Sequence, residues 1–211
     1  MKENQIQDEL ASIRSMMERS SKFISLSGLS GILAGVYALI GAGVAYHLIY
    51  NGNSIISSYP TDNGSGLTVN ILTITQLFVI AVVVLTASLL TGVILTVRKA
   101  RRKGQQVWGS VSQQLLFNMA VPLLAGGFLI MILISRGYLG IIAPASLIFY
   151  GMALVNASNF TFKDVKYLGI CEIVLGLLAA LLPGYGLLFW AIGFGVLHIV
   201  YGSIMYIKYD R

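Results

Sequence analysis

The chain has 211 residues, 56% of them hydrophobic and only 10% charged, with a net charge of +6. A soluble domain carries roughly 25% charged residues, so water is not the main solvent here and a soluble globular protein is excluded. The single cysteine, Cys171, excludes an intrachain disulfide and reads as a small packing residue.

In chain order, residues 1–22 come first and read as a cytoplasmic amphipathic helix, with Ile6, Leu10, Ile13 and Met17 on one apolar face. Four acids balance four bases there, which argues against a basic lipid anchor and for contact with another helix, of this chain, of a second copy or of a cytoplasmic protein partner. A plain extension of the first span is the competing reading. The acids, and the length of the apolar run that follows, rule out a secretory signal.

Six apolar runs then occupy about 23–50, 71–97, 115–135, 138–155, 167–182 and 187–207. A span needs about 20 residues to cross a hydrocarbon core of roughly 30 Å, so the fourth and fifth are short and the second must tilt or project. In lipid the backbone must bond to itself, and runs this long are helices, so the fold class is all-α: a polytopic six-helix membrane protein. Residues 51–70, with Pro60, Asn63, Gly64 and Gly66, read as the sizeable external loop; Asn63-Gly64-Ser65 has glycosylation spacing, which matters only in a eukaryotic secretory route.

The basic residues cluster on alternate connections: Arg14, Arg19 and Lys22; Arg98, Lys99, Arg101, Arg102 and Lys103; Lys163 and Lys166; Lys208 and Arg211. With both termini cytoplasmic, only Arg136 faces outward, which satisfies the positive-inside rule at every loop and places the chain in the inner membrane. The charge is thereby explained by topology and anionic headgroups, with no nucleic acid invoked.

Glycines mark expected helix contacts: Gly31 and Gly35 with Ala38, Ala42 and Ala45 in the first span, Gly169 and Gly176 in the fifth, Gly195 and Gly202 in the sixth. Pro122 and Pro144 are expected to kink the third and fourth spans and to open room near Asn118 and Tyr150.

Only one charged residue, Glu172, falls inside a long apolar run, and it shares a pattern with His198: Gly169-Ile-Cys-Glu172-Ile-Val-Leu-Gly176 against Gly195-Val-Leu-His198-Ile-Val-Tyr-Gly202. The two lie equally far on either side of Tyr185 in the Pro183 to Gly186 turn, so an antiparallel hairpin brings them to one depth. Charge in hydrocarbon is costly, so Glu172 is expected to be protonated, paired with a protonated His198, or facing a water-filled cavity. Asn118, Tyr150, Asn156 and Tyr201 could extend such a ligand or proton site, while a hydrogen bond that merely glues the hairpin is the bland alternative.

His47, beside Tyr46 and Tyr50, belongs to the outer aromatic belt and cannot reach the rest. That leaves too few ligands for a metal and no pair of histidines at one depth for haem, so no metal, cofactor or catalytic residue is expected, nor an enzyme.

The stretch Arg14-Ser-Met-Met-Glu-Arg-Ser-Ser-Lys-Phe-Ile-Ser-Leu-Ser-Gly28, continuing through Gly31 to Ala45, resembles the opening of uncharacterised six-span inner-membrane proteins of Bacteroidota-type bacteria. The resemblance implies the architecture and brings no activity with it. Two functions stay open from the residues: a binding, sensory or accessory membrane protein with a partner-contacting helix, and a small transporter or proton-coupled carrier using Glu172 and His198.

Overall fold

The computed structural model describes residues 27–51, 71–102, 104 and 107–210, which are helical almost throughout and contain no strand. The helices are α1 (Gly28–Asn51), α2 (Ile71–Arg102), α3 (Ser110–Ser135), α4 (Ile142–Ala157) and α5 (Asp164–Leu181). A last rod follows, made of α6 (Gly186–Trp190), a π-helical stretch (Ala191–Leu197), α7 (His198–Met205) and a second π turn (Tyr206–Asp210). The expected helix on Ile6, Leu10, Ile13 and Met17 and the loop around Asn63 lie outside the described residues.

Five stretches are long and apolar enough to cross a membrane: Gly28–Ile49, Leu72–Arg102, Ser110–Ser135, Leu139–Ala157 and Gly186–Tyr209. The sixth candidate, α5, has 18 residues and carries Asp164, Lys166 and Glu172. It nonetheless runs alongside α4, Gly169 meeting Gly151 at one end and Gly176 meeting Pro144 at the other.

Helix ends follow local chemistry. At 32 residues, α2 is about 48 Å long and carries its helix past the apolar run into Lys99, Arg101 and Arg102, good helix formers that also complement the dipole at that end. Gly137, at φ 79°, closes α3: its N–H bonds to Ile134 O and that of Tyr138 to Leu133 O, the Schellman pattern that glycine permits. Gly184, at φ 92°, turns α5 back into the last rod.

Pro144 lies in the first turn of α4, directly after a 3₁₀ turn at Leu139–Ile141, an early-helix position that proline tolerates, and not in the middle of a span. Pro122 is buried within α3, which continues through it to Ser135. Cys171, expected to pack inside, is exposed on the outer side of α5.

Four rods form the centre. α1 packs antiparallel on the last rod, α4 packs antiparallel on α5, and the last rod touches α4 and α5 as well. α2 lies on the outside of α1, Gly41 facing Val84 and the Tyr37 hydroxyl 3.4 Å from that of Thr91, and α3 lies on the outside of α4. None of the apolar window of α2 is buried, the surface expected of a helix whose solvent is lipid. The six glycines chosen from the sequence all sit in close packing: Gly31 and Gly202 against each other, Gly35 against Ile199, Gly195 against Leu39, Gly169 against Gly151, Gly176 against Ile148.

Alternation brings the ends of α2, α4 and the last rod and the starts of α3 and α5 to one side, the basic end, with Arg98, Arg101, Lys163, Lys166 and Lys208. Leu154, Phe162, Val165, Leu168 and Met205 form a buried cluster towards that end, flanked by Tyr150, Leu197, Tyr201 and Tyr209.

Candidate functional site

Glu172 on α5 and His198 at the start of α7 face one another in the interior, 0% and 7% exposed. Glycine spacing explains the inward aim. Gly169 and Gly176 bring α5 onto α4 and Gly195 and Gly202 bring the last rod onto α1, so Glu172 and His198, three residues after one glycine and four before the next, share the packed face and look inward, while neighbours such as Cys171 and Val200 are exposed.

The imidazole is wired on both sides. Nδ1 lies 3.0 Å from the carbonyl oxygen of Gly193, which can only accept, so Nδ1 carries a hydrogen and donates it. Nε2 lies 2.7 Å from the Tyr150 hydroxyl. A neutral ring accepts the tyrosine proton there, and a charged ring donates to the tyrosine oxygen. Phe194 packs over the ring at 6.0 Å between centroids and lies 5.0 Å from the Tyr150 ring.

Glu172 Oε1 is 3.4 Å from Nδ1, an electrostatic contact in which no hydrogen bond forms. Both carboxyl oxygens lack a hydrogen-bond partner among the described residues, as does the buried Tyr201 hydroxyl. Gly193 explains how the carboxyl fits: a methyl group on that residue would stand 2.5 Å from Oε2 and 2.5 Å from Leu147 Cδ2.

Of the residues expected to extend the site, Tyr150 joins it directly. Tyr201 lies three positions beyond His198 on α7, with its hydroxyl buried towards the basic end. Asn118 and Asn156 do not join it. Asn118 is on α3, which packs on α4 and the turn before it, and its amide donates to Gln114 O at 2.8 Å. Asn156 points outward from the last turn of α4. A helical offset places residues on a face but does not say which face turns inward, and on α4 the inward face is that of Leu147, Tyr150 and Leu154.

Sequence reasoning did not find Gly193 or the π-helical stretch that contains it. Its signal was Gly193-Phe-Gly195, two glycines just before the histidine, since π turns arise where a regular ladder is disturbed and are frequent at functional sites.

A second polar group lies at the basic end. Asp164, at the start of α5, receives hydrogen bonds from Lys208 Nζ at 2.9 Å and the Tyr209 hydroxyl at 2.8 Å. Burial alone would raise the Asp164 carboxyl, but the bonds from Lys208 and Tyr209 outweigh it and hold the group below the usual carboxylate range. Phe162 packs against Tyr209 in a tilted arrangement, ring centroids 4.1 Å apart, and Lys208 sits 5.0 Å above the same ring. A cavity of about 410 Å³ opens beside these residues, lined also by Thr161, Lys163 and Tyr167. No group of three or more metal-binding side chains occurs among the described residues.

No family model matches the chain, and no curated protein or solved structure is significantly similar to it.

Proposed function

We propose that the chain is a proton-coupled protein of the inner membrane, both termini cytoplasmic, in which Glu172, His198 and Tyr150 bind and release one proton and the charge change alters how the last rod sits against α4 and α5. This takes up the second of the two readings left open by the residues, the proton-coupled carrier; the first, a binding, sensory or accessory protein, rests on the Ile6, Leu10, Ile13 and Met17 face, which lies outside the described residues. The cytoplasmic side is the basic end by the positive-inside rule.

The observation that carries the reading is the bare carboxyl. A glutamate kept only to glue two helices would spend its oxygens on hydrogen bonds, and an apolar side chain would fill the space at less cost. Glu172 instead has both oxygens unbonded beside a ring whose Nδ1–H is already directed to Gly193. With one proton on the pair, the site is neutral, as acid with neutral imidazole or as carboxylate with imidazolium; without it, the site holds one negative charge. Intramembrane groups of this kind are functional by default.

Infrared difference spectroscopy of the protein in lipid, stepped between acid and alkaline pH, tests it. The expected result is a carboxyl band that shifts in deuterated water and is absent in Glu172→Gln. An identical band in Glu172→Gln, or a parent that shows neither a carboxyl band nor an imidazole ring band of His198, would remove the proton from this site.

A further inference from the structure

The two central helix pairs are built alike. A methyl group on Gly35 of α1 would meet the last rod at Gly195 O (2.6 Å), Ile199 Cγ1 (2.7 Å) and Ile199 N (3.0 Å). A methyl group on Gly176 of α5 would meet α4 at Pro144 O (3.0 Å), Ile148 Cγ1 (2.6 Å) and Ile148 N (3.1 Å). Further along, Gly202 faces Gly28 O and Ile32 N, and Gly151 faces Gly169 O and Ile173 N. The sequences agree in the same register: Gly28, Ile32 and Gly35 correspond to Gly169, Ile173 and Gly176, and Ile199-Val-Tyr201-Gly202 corresponds to Ile148-Phe-Tyr150-Gly151. α1 and α5 both start from the basic end, so the pairs are parallel copies related by rotation about an axis along the rods.

This correspondence sets Glu172 opposite Gly31, His198 opposite Leu147 and Tyr150 opposite Tyr201. One copy of each chemical position is elaborated and the other apolar, while both tyrosines remain. The asymmetry falls across the boundary between pairs: Glu172 and Tyr150 belong to the α4/α5 pair, His198 and Gly193 to the α1/last-rod pair. Within a pair, glycine puts backbone on backbone and leaves no room to slide. Between pairs, the contacts are side chains: the site itself, the Leu154, Phe162, Leu168 and Met205 cluster, and the Asp164 group with Lys208 and Tyr209.

We propose that the two glycine-packed pairs move as rigid bodies, and that the bonds of Asp164 to Lys208 and Tyr209 are a latch that closes the basic-end approach to Glu172, His198 and Tyr150. The approach runs past Met205 and the Tyr201 hydroxyl, the one buried tyrosine oxygen without a partner among the described residues. The Pro183 to Gly186 turn joins the bodies at the far end and serves as the hinge. What passes the latch, a proton carried on water, rests on the function proposed above; the gate does not.

The test is labelling of a cysteine placed at Tyr201 in a Cys171→Ser background, in vesicles, with N-ethylmaleimide. Labelling is expected to be slow with the latch intact, to quicken roughly three- to tenfold in Asp164→Asn, the scale of losing an exposed charged pair and a hydrogen bond, and to stay slow in Asp164→Glu. Lys208→Gln supplies a second release should Asp164→Asn fold poorly, and a cysteine at lipid-facing Leu181 reports any general loosening. Equal rates in the parent and the well-folded release variant, or the same rise at position 181, would overturn the gate. A faster rate with neither a Glu172 nor a His198 infrared band would leave the gate standing and remove the proton; either band without a change in rate would do the reverse.

Discussion

Gly193 and Tyr150 set the geometry of the site more than its charged members do. Alanine at 193 would put a methyl group into the space of the Glu172 carboxyl and the Leu147 side chain, and overpacking of this kind costs about 1–3 kcal/mol. Gly193→Ala is therefore expected to lower the thermal midpoint in detergent and to shift the Glu172 infrared band, because Leu147 and Glu172 cannot both stay in place. Tyr150→Phe keeps the ring but leaves Nε2 unbonded in a buried position, a loss of about 1–3 kcal/mol. Nitrogen-15 spectra of the imidazole should show the change at Nε2 and leave Nδ1 bonded to Gly193; a spectrum unchanged at both nitrogens would contradict the wiring. The pairing of Glu172 with His198 was legible, since equal distances from one turn and flanking glycines fix both depth and face. Tyr150 was legible only as one of four candidates, because nothing in a single helix tells which of its polar residues meets a neighbour.

At the scale of elements, the apolar runs were readable because hydrocarbon leaves the backbone no alternative to helix, and charge placement located their ends to within a turn or two. The last rod was harder. Counting residues inward from Lys166 and Lys208 sets Glu172 and His198 about one helical turn apart in depth if both helices are regular. Lys208 in fact bonds Asp164, two residues before Lys166, which removes much of that difference, and the π turn at Tyr206–Asp210 removes a little more, as its i to i+5 bonds use more residues for the same climb. Matched helix pairs also make a matched prediction. Gly35→Ala and Gly176→Ala press on corresponding atoms of Gly195 and Ile199 and of Pro144 and Ile148, so both should destabilise, by about 1–3 kcal/mol and by similar amounts. Pro144→Ala should destabilise through lost packing, since the proline is fully buried beside Gly176. Thermal unfolding of the three variants in one detergent decides this, and a wide gap between the two glycine variants would count against equivalent packing.

For the molecule as a whole, the number of rods and their alternation followed from run lengths and basic loops, but which rods meet did not. Neighbours are chosen by small-residue faces, and α1, α4, α5 and the last rod all have them, so pairing α1 with the last rod across the whole chain needed coordinates. The consequence is that the ends of the described chain close the central bundle, and the latch at Asp164 ties the last rod to the start of α5. Its pH dependence has a definite sign. Asp164 is held below the ordinary carboxyl value, so its contribution is fully present above the unfolded-state value of about 3.9 and is lost only as pH falls through the lower folded value. The difference in thermal midpoint between the parent and Asp164→Asn should therefore be constant from neutral pH down to about pH 4 and close below it. A difference that vanished already in weak acid would mean that another group holds the last rod to α5, and the latch would have to be sought among the buried side chains around Met205.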